Sequence, residues 1–134
     1  MAEKNNEIMN IPISIIWEGI LFCPIWGILD SQRTQLIMDA VLDKIESTQS
    51  KVLIIDIIGV VTVDSAVANH LIKITKATKL MGCESVISGI SPSVAQTIVN
   101  LGIDLSGIIT KSTIKEALDF AFKKLNLKII SDQK

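Results

Sequence analysis

At 134 residues the chain has room for one domain with a substantial core and none for two ordinary ones. Nearly half of it is apolar (49%), aromatic residues make up only 4% with no tyrosine, and the formal net charge is −1. That balance excludes the basic stripe of a nucleic-acid binder, which neutralises phosphates with clustered Lys and Arg, and it predicts a tightly packed aliphatic interior with apolar face left over for self-association, a homo-oligomer.

Residues 1–10 contain Glu3, Asn5, Asn6 and Glu7 and lead into no long apolar run, so they are expected to be a flexible segment carrying neither a signal peptide nor a membrane anchor. A cytoplasmic protein is the corresponding expectation, with no contact to membrane or nucleic acid. The domain proper is expected over residues 11–127, and residues 128–134 as a tail whose last four residues fray.

Ile13-Ser14-Ile15-Ile16-Trp17 and Ile20-Leu21-Phe22-Cys23 flank Glu18-Gly19, which reads as a two-residue hairpin loop, giving an antiparallel pair at a sheet edge. Pro24 and Gly27 are expected to disturb the second strand before Ile28-Leu29. Asp30-Ser31 offers a cap for a helix running to about Ser47, with Leu36, Ile37, Ala40, Val41 and Ile45 as its buried stripe. Thr48 to Lys51 is a polar connection.

Val52 to Val63 is then a β-branched, apolar strand, too short to span a membrane and typical of a strand covered on both faces, with Asp56 as its interruption. Asp64 and Ser65 follow at once, and either can cap the helix opening with Ala66-Val67-Ala68. That helix carries Val67, Leu71, Ile74, Thr78 and Met81 on one face and ends at Gly82. Glu84 to Ile90 reads as the next strand. Ser91-Pro92 opens a short helix that Gly102 closes, and a short strand is expected at Ile108-Ile109. Thr113-Ile114-Lys115-Glu116 is a capping box ahead of a last helix with Ile114, Ala117, Leu118, Ala121, Phe122 and Leu125 at helical spacing. Leu127 to Ile130 is expected to pack as an extended tail. The whole is an α/β domain: a mixed sheet of four to five strands, an N-terminal antiparallel hairpin followed by parallel strands, packed with about four helices joined by right-handed crossovers.

Catalytic signatures are lacking: there is no Gly-x-x-x-x-Gly-Lys phosphate loop, no Gly-x-Ser-x-Gly elbow and no Gly-x-Gly-x-x-Gly turn. The chain reads as no enzyme. Cys23 and Cys83 fall in strand segments and form neither a zinc spacing nor a redox pair, so they read as small buried thiols with no metal or cofactor implied. The lone His70, one turn into its helix, reads as a half-exposed surface residue. Asp56 inside an apolar strand needs hydrogen-bond donors and reads as a structural hub. Ser65, from its position alone, is an N-cap or first-turn serine.

The run Asp56 to Ile72, together with Gly89-Ile90-Ser91-Pro92-Ser93-Val94-Ala95-Gln96-Thr97-Ile98-Val99 and Leu101-Gly102-Ile103-Asp104-Leu105, closely resembles the STAS domain family. Within that family it is most similar to the C-terminal domains of stressosome scaffold proteins, the co-antagonists of bacterial general-stress signalling. The resemblance implies a non-enzymatic anti-sigma-factor antagonist that binds a serine/threonine switch kinase, is phosphorylated by it, and assembles with other STAS proteins. The family's acceptor follows an aspartate at the start of the helix after the central strand, which maps to Ser65 preceded by Asp64. Scaffold relatives usually have threonine there, so Ser65 leans toward the small single-domain antagonists. The family's Gly-x-Leu-Asp loop maps to Gly27-Ile28-Leu29-Asp30 and implies Asp30 near the acceptor, with Asn69 on the partner-facing surface; Thr97 stands as a second acceptor. Scaffold relatives also carry an N-terminal sensory domain, whereas about ten residues precede the first strand here. Two other classes fit the residues: a small-molecule or nucleotide-binding module using the strand ends near Asp30 and Ser65, and a self-assembling scaffold with no phosphorylation.

Overall fold

The central strand owes its position to its own composition. Val52, Leu53, Ile54 and Ile55 are all 1% exposed or less, and β-branched side chains alternate to both faces of a pleated strand, so such a run is stable only where both faces are covered. Removing each of these side chains from water contributes roughly 1.5–3 kcal/mol. The computed structural model describes residues 11–132, and the expectations placed on residues 1–10, 133 and 134 lie outside it.

Five strands and four helices make up the described residues. They run β1 (Ser14–Trp17), β2 (Ile20–Gly27), α1 (Ser31–Thr48), β3 (Val52–Val60), α2 (Ser65–Leu80), β4 (Glu84–Ser88), α3 (Pro92–Leu101), β5 (Ile109–Thr110) and α4 (Ile114–Lys124). The sheet order is β1-β2-β3-β4-β5. β1 lies antiparallel to β2 at one edge, and every later pairing is parallel. This is the mixed α/β sheet that the alternation of periods predicts.

The two sheet faces are covered unequally. Leu53, Ile55 and Ile57 pack in one core with Ile37, Val41 and Ile45 of α1 and Val67, Leu71 and Ile74 of α2. Val52 and Ile54 pack with Ile20, Val86 and the two alanines of α4, Ala117 and Ala121. α3 has no fully buried residue and leans on the first core through half-buried Val94 and Ile98.

Several local expectations are corrected. β2 does not stop at Cys23 but continues through Pro24 to Gly27. β1 reaches only as far as Phe22, so beyond that point β2 has a free edge, where a residue without an N–H is tolerated. The disturbance appears instead as a register shift against β3 between Pro24 and Trp26. β4 ends at Ser88 rather than Ile90, because Gly89 turns the chain at φ +83°. The last strand is Ile109–Thr110, one residue later than its apolar pattern suggests. Met81 is 41% exposed at the end of α2 and does not continue its buried stripe, and Leu127, Ile129 and Ile130 are exposed rather than packed.

Cys83 lies in the turn before β4 rather than in a strand, while Cys23 is within β2; both are buried. Burial pushes each thiol up to about 12, helped at Cys83 by Glu84 and opposed at Cys23 by Arg33. Both therefore stay protonated at neutral pH and act as packing groups.

Candidate functional site

All four helices begin at the C-terminal end of the parallel strands, and two of them, α1 and α2, are opened by an aspartate. Asp30 caps α1, its Oδ1 accepting from the Arg33 N–H at 2.8 Å. Asp64 caps α2, its Oδ1 accepting from the Val67 N–H at 2.9 Å. Of the two residues able to cap this helix, Asp64 does so, and α2 starts at Ser65 rather than Ala66. A first-turn position has no intrahelical acceptor for its N–H, so the end of α2 keeps partly unsatisfied donors and the positive end of the helix dipole.

Ser65 is exposed at that first position, with structural capping carried by its neighbour. Replacing the two residues separates the roles. Asp64→Ala should cost about 1 kcal/mol, the usual loss for a helix N-cap, whereas Ser65→Ala should stay within about 0.5 kcal/mol of the parent in urea denaturation. An equal loss for both would place Ser65 in the cap after all.

Between the two helix starts lies an open cleft of about 580 Å³, lined on one side by Ile28 to Ser31 and on the other by Val61, Thr62, Asp64, Ala66, Val67 and His70. Asp30 and Asp64 are thus brought to one cleft, and both are exposed. Ser65 is not among the lining residues, but it sits between Asp64 and Ala66, which are. Asn69 is exposed one turn further along α2, and His70 is half-buried against the cleft. Thr97 stands apart on α3, half-buried, with its hydroxyl donating to the Ser93 carbonyl at 2.9 Å.

Asp56 is 4% exposed and accepts a hydrogen bond from the Ser88 hydroxyl at 2.8 Å. It ties β3 to β4 beneath the site, on the face opposite α1 and α2. The pairing of Trp26 with Arg33 is not legible from residue spacing. The Arg33 guanidinium lies 5.4 Å from the Trp26 ring centroid and donates to the carbonyls of Trp26 and Ile28. Arg33 follows Asp30 by three, an ordinary first-turn position, and the turn from the end of β2 into α1 folds it back onto Trp26.

A family model described as the STAS domain matches residues 14–121. The RsbT co-antagonist protein RsbRA of Bacillus subtilis (strain 168) is 40% identical over 123 residues, covering 92% of this chain and 45% of that protein. RsbRD of the same organism, also an RsbT co-antagonist protein, is 40% identical over 116 residues, covering 87% of this chain and 41% of its own length. The chain therefore spans less than half the length of these relatives. Among solved structures, a serine-to-glutamate variant of RsbS from Moorella thermoacetica matches with TM-score 0.71 at 30% identity, covering 87% of this chain and 98% of that one. A chain of the stressosome, described as a signal integration and transduction hub, matches with TM-score 0.65 at 28% identity, covering 86% and 98%.

Proposed function

The chain belongs to the STAS domain family, and on that premise we propose that it is a non-enzymatic, phosphorylation-switched interaction domain: an anti-sigma-factor antagonist or stressosome component that binds a serine/threonine switch kinase. Its further partners are other STAS proteins in an assembly of the stressosome kind. The names of its relatives, co-antagonists of RsbT, favour this class over an enzyme or a ligand store.

The observation that carries the reading is the placement of Ser65: exposed, at the first turn of α2, and relieved of capping by Asp64. A phosphoryl group there adds roughly −1.5 to −2 charges and three acceptor oxygens. The domain accommodates it, because first-turn N–H groups and the helix dipole favour an anion. A docked protein meets instead a surface on which Asp30 and Asp64 are already acidic. Asn69 belongs to that surface by its position one turn along α2. Thr97 is a second candidate acceptor; its position on α3, away from the cleft, makes it a separate event.

Incubation with the cognate switch kinase and magnesium ATP tests this. Mass spectrometry of the product is expected to place phosphate on Ser65, and Ser65→Ala is expected to lose that label, leaving at most label on Thr97. A labelled parent chain with Ser65 unmodified would move the acceptor elsewhere. A nucleotide-binding module would show thermal stabilisation by added nucleotide with no label at all.

A further inference from the structure

Four large apolar side chains stand exposed where β2 and β3 end beside the cleft: Trp26 at 51%, Ile28 at 74%, Ile58 at 72% and Val61 at 71%. Ile28 and Val61 line the cleft itself, and Trp26 lies opposite Gly59 in the β2–β3 register. Along each strand Trp26 and Ile58 share the α4 side with Ile20 and Ile54, yet the buried alanines of α4 pack only at the opposite, N-terminal ends of those strands. A monomer rarely leaves such a contiguous apolar group in water without use.

Trp26 is also held in place. A Cβ built on Gly59 would lie 2.8 Å from the Trp26 Cβ and 3.3 Å from its Cα, so the missing side chain at 59 is what lets the Trp26 backbone lie against β3. From the other side Arg33 covers the ring and grips the Trp26 and Ile28 carbonyls. The rotamer freedom that binding ordinarily removes is already spent, which makes a half-exposed tryptophan an efficient anchor. The charges around this platform are the Arg33 guanidinium, already engaged with the Trp26 ring and the Trp26 and Ile28 carbonyls, and two exposed carboxylates, Asp30 and Asp64, which leave the rim net acidic.

We infer that Trp26, with Ile28, Ile58 and Val61, is the apolar anchor through which the switch kinase docks, the kinase presenting an apolar pocket edged by lysine or arginine. The inference rests on the switch at Ser65. Ile28 and Val61 belong both to the platform and to the lining of the cleft beside that residue, and the net acidic rim selects a cationic protein surface over an anionic membrane or nucleic acid. Phosphate at Ser65 then acts on a contact whose binding energy comes from the neighbouring apolar group and whose register is set by charge.

The test is calorimetric titration of the full chain with the cognate kinase. Trp26→Ala is expected to weaken binding at least tenfold with an unchanged unfolding midpoint. Trp17→Ala removes a tryptophan of similar exposure (52%) from β1, paired with Ile20 at the far, N-terminal end of β2, and is expected to bind within twofold of the parent. Ile28→Ser, at a loop position, provides a second lesion should Trp26→Ala fail to fold. Unchanged affinity in both platform variants, with Ser65 still labelled by the kinase, overturns the anchor and leaves the switch standing. A parent chain that neither binds the kinase nor accepts phosphate overturns both. If sedimentation shows a dimer that Trp26→Ala dissociates while kinase affinity holds, the platform belongs to a second copy and the inference fails.

Discussion

Gly89→Ala is expected to destabilise the domain by about 2–5 kcal/mol, more than the same added methyl group should cost at the other glycines of the chain. Two costs add. Gly89 has φ +83°, and an L-residue there pays about 1–2 kcal/mol for crowding its own carbonyl. A Cβ at this position would also lie 2.8 Å from the Asp56 Oδ1 and 2.8 Å from the Ile58 backbone nitrogen. Neither neighbour yields cheaply. Moving the carboxylate breaks its 2.8 Å bond with the buried Ser88 hydroxyl, and moving Ile58 shifts the strand that delivers Val61 and Asp64 to the cleft. Gly82→Ala is the matched control, since Gly82 has φ +78° with nothing within 4 Å of the added atom. Urea denaturation of the pair separates strain from crowding: Gly82→Ala should lose about 1–2 kcal/mol, and Gly89→Ala clearly more. Equal losses would mean that the Asp56–Gly89 contact has slack and does not brace the site.

How much of the molecule can be read from residues alone depends on whether the signal is local. Each helix start is legible because a cap is a short-range device: Asp30, Asp64, Ser91 before Pro92, and Thr113 before Glu116 all accept from the backbone N–H three residues on. The β3 strand is legible from its apolar run. The path of β2 past Pro24 is not, because whether a proline ends a strand depends on the neighbour it lacks, here β1, which stops opposite Phe22. Met81 and the residues after Leu125 continue an apolar spacing beyond the point where the fold offers anything to pack against. At the site, Asp30, Asp64 and Ser65 can be named from the family resemblance. Trp26 cannot, since its pedestal joins Gly59, which the β2–β3 register sets opposite it, with Arg33, which the turn into α1 folds back onto it.

The second large effect concerns the phosphorylated domain, whose affinity for the switch kinase is expected to fall at least tenfold, about 1.4 kcal/mol, relative to the unmodified chain. The surface around Ser65 already carries Asp30 and Asp64, exposed and close enough to line one cleft. The added phosphate charge at the start of α2 is stabilised within the domain by the helix end but must be desolvated beneath any partner that covers it. A cationic rim on the kinase gains attraction from phosphate at long range, but a contact shaped around a small hydroxyl has no space for three oxygens and their water. Ser65→Glu, with less charge and a longer stem, should reproduce part of the loss, and added salt should weaken binding of the unmodified chain by screening its acidic rim. The switch itself is decided by calorimetric titration of the kinase with the unmodified chain and with the same chain stoichiometrically phosphorylated at Ser65. A dissociation constant at least ten times larger is expected for the phosphorylated form, and equal constants for the two forms would mean that Ser65 controls no docking.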